Sequence, residues 1–146
     1  MPDLISRLVQ VHVFRKKTSG IHEYLLLLRS RSDPQYPGMW QVVTGTIDGK
    51  ESALEAAKRE VQEETGLAPL RIEIIPYVAS FYNPAADSIE LVPVFAFEAH
   101  PSSVVRLSEE HEKYQWLSYE SAISRLKIQA HKTALEILEK TMLKKE

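Results

Sequence analysis

The sequence predicts a layered α/β or α+β domain, on three observations. Several short apolar segments carry strand periodicity, a well-capped amphipathic helix lies between them, and a second amphipathic helix closes the chain. Arg7 to Phe14 alternates: Val9, Val11 and Val13 point one way, Gln10 and His12 the other. Tyr24 to Leu28 is an aliphatic run suited to a strand buried on both faces. Ser30 to Gly38 reads as a loop, with Asp33-Pro34 and Pro37-Gly38 as turn signals. Gln41 to Thr46 reads as one further strand ending near Gly45.

Ser52 to Thr65 reads as a helix. Ser52 can cap it, and Glu55, three residues on, completes a capping box. Leu54, Ala57, Val61 and Thr65 share one side and are expected to face the core, and Gly66 suits the left-handed position that ends a helix. Leu70 to Tyr82 and Ser88 to Ala99 read as two longer strands around an Asn83–Asp87 turn, and Lys113 to Leu117 as a last short one. Tyr119 to Leu126 is expected to be a short helix. The closing helix, roughly His131 to Leu143, places Ala134, Leu135, Leu138 and Met142 on one face; Lys144 to Glu146 reads as a frayed tail.

With 146 residues, 44% of them hydrophobic and 26% charged, the chain suits one domain over 1–146. A net charge of −2 argues against nucleic acid, whose binding rests on Lys and Arg against phosphate. The absence of cysteine excludes thiol catalysis, thiolate zinc sites and disulfides. No apolar run is long enough for a bilayer, and Met1 to Arg7 lacks the pattern of a signal peptide. A cytoplasmic protein with no membrane partner, monomeric or homodimeric, is expected. The five histidines form no ligand spacing and receive no role.

The segment from Gly45 to Leu67 carries the chemistry. Glu60, Glu63 and Glu64 stand at i, i+3 and i+4 of the helix and cluster on one face. On their own such residues are the ordinary mark of a solvated face, and Arg59 can pair with Glu55 or Glu63. Otherwise three clustered carboxylates repel one another unless a cation sits among them. A hard divalent ion fits oxygen donors, Mg2+ best and Mn2+ in its place.

The whole segment satisfies every specified position of a longer pattern, G-x5-E-x7-R-E-U-x-E-E-x-G-U with U a bulky aliphatic residue. The matches are Gly45, Glu51, Arg59, Glu60, Val61, Glu63, Glu64, Gly66 and Leu67. By chance such a match is rarer than about one in a million. It resembles the Nudix box, and the resemblance implies an α/β/α sandwich around a mixed sheet. It also implies roles: Glu60 and Glu64 as principal metal ligands and Glu63 as a further ligand or a positioner of water. Gly45 would offer its carbonyl to a metal. Glu51 would support the loop or a metal-bound water, and Arg59 would orient the glutamates. The implied reaction is attack of metal-activated water on phosphorus in a small phosphorylated substrate.

Outside the box, Met39-Trp40-Gln41 with Val43-Thr44-Gly45, and Glu110-His111 with Tyr114 and Trp116, look like the branch holding dATP pyrophosphohydrolases and dihydroneopterin triphosphate pyrophosphatases. That likeness implies Glu110 as a ligand from the downstream loop. Trp40 and Tyr82 are candidates for stacking on a base or pterin, and Arg29 for a phosphate; packing and solvated surface are the competing readings. The expectation is pyrophosphohydrolysis of a triphosphate carrying a flat heterocycle. The alternatives are ADP-ribose, nucleotide-sugar or dinucleoside polyphosphate hydrolysis, or a nucleotide-sensing module without catalysis. Tyr82 and Pro84 stand side by side with Asn83 where the family has its substrate signposts, so neither decides between them.

Overall fold

The computed structural model describes residues 1–145, and Glu146 of the expected tail lies outside them. Eight strands form one mixed sheet. They are β1 (Asp3–Ile5), β2 (Leu8–Lys16), β3 (His22–Arg29), β4 (Trp40–Gln41), β5 (Val43–Thr46), β6 (Pro69–Asn83), β7 (Ser88–Ala99) and β8 (His111–Leu117). The path runs β1-β7-β2-β3-β4, with β5 on β2, β6 on β7 and β8 on β3. β7 is parallel to β1 and β2, and the other pairings are antiparallel. Helix α1 (Ala53–Thr65) covers one face; α2 (Tyr119–Arg125) and α3 (Gln129–Ile137) cover the other.

The alternation in β2 sorts its residues as its period requires. Val9, Val11 and Val13 pack with Ala56, Ala57 and Val61 of α1. Phe14, from the other face, joins Tyr24, Leu26, Ala134, Leu135 and Leu138 on the α3 side. β3 is buried from Tyr24 to Leu27 because both layers cover it. Gln10 and His12 are buried under α3. Gln10 Nε2 lies 2.8 Å from His12 Nε2 and donates to the Ala130 carbonyl at 3.2 Å. The His12 and His131 rings meet edge to face with centroids 6.4 Å apart.

Three expectations need correction, and one strand was not foreseen. The strand expected over Gln41–Thr46 is two: β4 pairs with β3 and β5 with β2, so the chain changes neighbour at Val42. Leu54 does not face the core; it is 41% exposed, and Ala56 is buried instead. The buried stripe runs through Ala56, Ala57, Val61, Glu64 and Thr65, rotated away from the first turn. The closing helix is α-helical only to Ile137, continues as a π turn over Leu138–Met142 and ends in a 3-10 turn, Leu143–Lys145. β1, a strand without a clear pattern, was not expected; it adds to β7 beside the Asn83–Asp87 turn.

Candidate active site

The capping box forms as read. Glu55 N–H donates to Ser52 Oγ and Ser52 N–H to Glu55 Oε1, each at 3.1 Å. Gly66 ends α1 at φ 73°, where its N–H bonds to the Gln62 carbonyl. The caps fix where the helix begins and ends, and so which way its glutamates point. Gly45 in β5 pairs with Val9 and lies directly beneath Glu60. A Cβ added at Gly45 would collide with the Glu60 carboxyl group, so glycine here leaves room for that side chain over the strand.

Arg59 is the hub of one half of the site. Its Nε and Nη2 grip Glu51 at 2.6 to 3.1 Å, and Nη2 also donates to the Thr46 carbonyl at 2.8 Å. Nη1 donates to Glu60 at 2.9 Å and to Glu63 at 3.2 Å. Glu51 also accepts the Asp48 N–H at 2.9 Å. The Arg59 bonds and that amide hold its carboxyl down at about 2. Arg59 therefore orients Glu51, Glu60 and Glu63 together.

Glu64 is the opposite case. It is 3% exposed, and its carboxylate oxygens meet no N–H or hydroxyl donor among the described residues; the one group within hydrogen-bonding reach is the Glu60 carboxyl, with which it can only share a proton. Burial, then Glu60, then Glu110 push its carboxyl well above the ordinary carboxylate range. Burial likewise raises Glu60, against the pull of Arg59. Two acceptor oxygens without donors inside a protein cost stability unless a cation reaches them.

The 104–111 loop covers this end of α1. Arg106 N–H bonds to the Thr65 carbonyl at 2.8 Å and Ser108 N–H to the Glu64 carbonyl at 3.3 Å. Ser30 N–H holds the Glu110 carbonyl at 3.1 Å, and Arg31 N–H bonds to Glu112 Oε1 at 2.8 Å. An open cleft of about 360 Å3 results, lined by Glu60, Glu63, Glu64, Ser108, Glu109 and Glu110. Glu64, Glu110 and His111 can each direct one ligand atom so that all lie within 4.8 Å of one another.

Sequence spacing gave His111 no role, yet the structure sets its Nδ1 3.7 Å from Glu64 Oε1. Burial and the charge of Arg29 lower its imidazole to about 4. The signal available in the sequence was its place beside Glu110; one histidine without a partner at metal-ligand spacing carries little information.

The residues expected to touch substrate are dispersed. Arg29 ends β3 near this centre, bonded through Nη1 to Asp33 at 2.6 Å while its Nε has no partner among the described residues. Trp40 is half-buried against the α3-side core with the Arg125 guanidinium 5.1 Å from its ring centre, an environment that accounts for the ring without a ligand. Tyr82 lies near the tip of the β6–β7 hairpin, and its hydroxyl donates to Asp87 at 2.8 Å. The structure thus joins Gly45, Glu51, Arg59, Glu60, Glu63, Glu64 and Glu110 in one site, with Arg29 beside it.

Residues 7–140 match the NUDIX domain family. A bis(5'-nucleosyl)-tetraphosphatase [asymmetrical] of Mus musculus is 31% identical over 127 residues, 86% of this chain and 84% of its own length. An octanoyltransferase of Myxococcus xanthus is 36% identical over 115 residues, 77% of this chain; the match spans only 31% of that protein's length. Among solved structures, one assigned to the NUDIX hydrolases from Listeria monocytogenes str. 4b F2365 shares 30% identity at a TM-score of 0.79, over 94% of each chain. No helix among the described residues is long and apolar enough to cross a membrane. The chain belongs to the Nudix family of hydrolases, enzymes that act on phosphorus anhydrides.

Proposed function

We propose that the protein hydrolyses a diphosphate linkage in a nucleotide polyphosphate, with a divalent cation held by Glu60, Glu64 and Glu110, the Gly45 carbonyl, and Glu63 as a further ligand. The observation that carries this reading is Glu64, buried with two acceptor oxygens and no donor. That donor set is all hard oxygen, which fits Mg2+, or Mn2+ in its place. When bound, such an ion lowers the pKa of a water and neutralises charge on the phosphates. The chain's own residues do the positioning. Arg59 holds Glu51, Glu60 and Glu63 in register, Gly45 leaves room for Glu60, and the 104–111 loop brings Glu110 over Glu64. Arg29 is a cation whose charge acts on the buried carboxylate, and it is the residue proposed to meet a substrate phosphate.

The substrate divides into two readings. The mouse relative's name supports a dinucleoside polyphosphate. The stretches around Trp40 and Glu110 support a triphosphate with a flat heterocycle, for which the exposed ring of Tyr82 and the half-buried ring of Trp40 are the candidate stacking groups. The measurement that separates them is kcat/KM, with products identified, for diadenosine tetraphosphate, a purine triphosphate, dihydroneopterin triphosphate and ADP-ribose. Turnover is expected with Mg2+ and not with a chelator. Unchanged turnover in excess chelator would remove the metal from the reading.

A further inference from the structure

We propose that His111 supplies a nitrogen ligand through Nδ1 beside Glu64 and Glu110, making the centre a mixed oxygen–nitrogen site for a first-row divalent ion such as Mn2+. This rests on the metal-dependent reading above and adds a ligand that the glutamate pattern does not contain.

Three features of the geometry carry it. First, the His111 side chain is 0% exposed, and its Nδ1 has no hydrogen-bond partner among the described residues; it faces Glu64, whose two oxygens are equally unpartnered. Three buried acceptor or donor atoms in one place, none paired with another, call for something between them. Second, the 3.7 Å from Nδ1 to Glu64 Oε1 is too long for a hydrogen bond. Two adjacent donors about 2.1 Å from one octahedral cation stand roughly 3.0 Å apart, so the pair stands open by a little more than an ion needs and closes around it when one binds. Third, the backbone aims the ring inward. The β3–β8 register shifts between Leu28 and Arg29, pairing Leu28 with Lys113 and Arg29 with His111. His111 is buried while Glu110 and Glu112 on either side are exposed.

The other ring nitrogen has a fitting neighbour. The buried Gln41 amide stands 3.4 Å from His111 Nε2. Turned so that its oxygen accepts from Nε2–H, this amide fixes the tautomer that leaves the Nδ1 lone pair free, the arrangement usual behind a metal-bound histidine. Imidazole favours the later first-row ions over Mg2+, which prefers oxygen. Co2+ and Ni2+ are therefore expected to bind more tightly than Mg2+, and Mn2+ serves as the paramagnetic probe.

The test is pulsed EPR on the Mn2+-loaded protein, made with ordinary nitrogen and with 15N only in histidine. The expected result is a directly bound 14N coupling that converts to a 15N coupling on histidine labelling. It should vanish in His111→Gln, whose Mn2+ affinity should fall by at least the roughly 10- to 100-fold that losing an outer partner costs. The labelled wild-type protein decides the matter even if the variant does not fold. His111 is the one histidine among the described residues grouped with these carboxylates. Bound Mn2+ with no histidine coupling would overturn this ligand and leave the metal reading standing. Failure of the wild-type protein to bind Mn2+ at all would overturn both.

Discussion

Glu51 and Glu64 belong to the same loop and helix and carry the same side chain, yet they live in opposite electrostatic worlds. Glu51 accepts from Arg59 through both oxygens and from the Asp48 amide, and it is held low, at about 2. Glu64 accepts from no donor among the described residues and is pushed high by burial and by its acidic neighbours. The difference separates two jobs. A carboxylate with its hydrogen bonds filled acts as a strut, because moving it would strip an arginine of its partner. A carboxylate with none is held in readiness for a cation, and the fold bears its cost in the meantime.

The comparison breaks most visibly at Glu64. Glu64→Gln is expected to lower kcat/KM by several kcal/mol of transition-state stabilisation, roughly 1000-fold or more. The thermal midpoint of the metal-free protein should hold or rise, because folding forces the Glu64 carboxyl toward its protonated form at a cost that the neutral amide does not carry. Parallel losses of activity and of folding would show that Glu64 is a strut after all.

A smaller effect is expected at Glu51. Glu51→Gln should cost roughly 10- to 100-fold in activity, as loss of an outer partner of a metal site does, and here the midpoint should fall too, because Arg59 loses its grip. The sign with pH follows. A carboxyl whose folded pKa lies below its ordinary 4.5 contributes stability that is present above 4.5 and lost as pH falls toward 2. The acid limb of the unfolding profile should therefore flatten in the variant.

Glu110→Gln should raise the Mg2+ concentration needed for half-maximal turnover by about tenfold or more, since a direct ligand costs at least what an outer partner does. Glu109→Gln should change it little. Glu112→Gln removes the acceptor of the Arg31 amide and should act on the loop's stability rather than on the metal requirement. Equal, small shifts at all three would return Glu110 to a solvated charge.

The smallest effect on activity at neutral pH is expected on the α3 side, where His12 and His131 each leave Nδ1 without a partner among the described residues. No carboxylate belongs to that pair. Burial lowers His12 to about 3, with His131 adding to it, and lowers His131 to about 4, with Arg29 adding to it. As pH falls below 6.5 the unfolded chain takes up protons first, so stability should drop. Each histidine contributes a slope of up to about 1.4 kcal/mol per pH unit. Denaturant unfolding of the metal-free protein from pH 7 to 4 should show this slope, reduced in His131→Gln.

Much of the frame was legible because it depends on near neighbours in sequence. The period of two in β2 and the capping box at Ser52 each involve residues only a few positions apart, and the Nudix pattern located the glutamates without any tertiary information. The misjudged parts depend on partners far along the chain. Gln41 to Thr46 looked like one strand, but β3 claims one part and β2 the other. Trp40 and Tyr82 acquire partners that their own neighbourhoods in sequence do not all show: the Arg125 guanidinium lies over the Trp40 ring and Asp87 accepts from the Tyr82 hydroxyl.

By itself the sequence determined the helix ends, the two-faced strands and the cluster of carboxylates, because caps and periodicity are local properties of the chain. Only the tertiary structure decided what each carboxylate does. Glu63 and Glu64 are adjacent and chemically identical, yet the Glu63 side chain is 59% exposed and that of Glu64 3%. What separates them is the 104–111 loop, some forty residues downstream, which bonds to the end of α1 and brings His111 and Glu110 against one glutamate and not the other. Burial is set by whatever long-range pairing lays across a residue, and no local pattern records it.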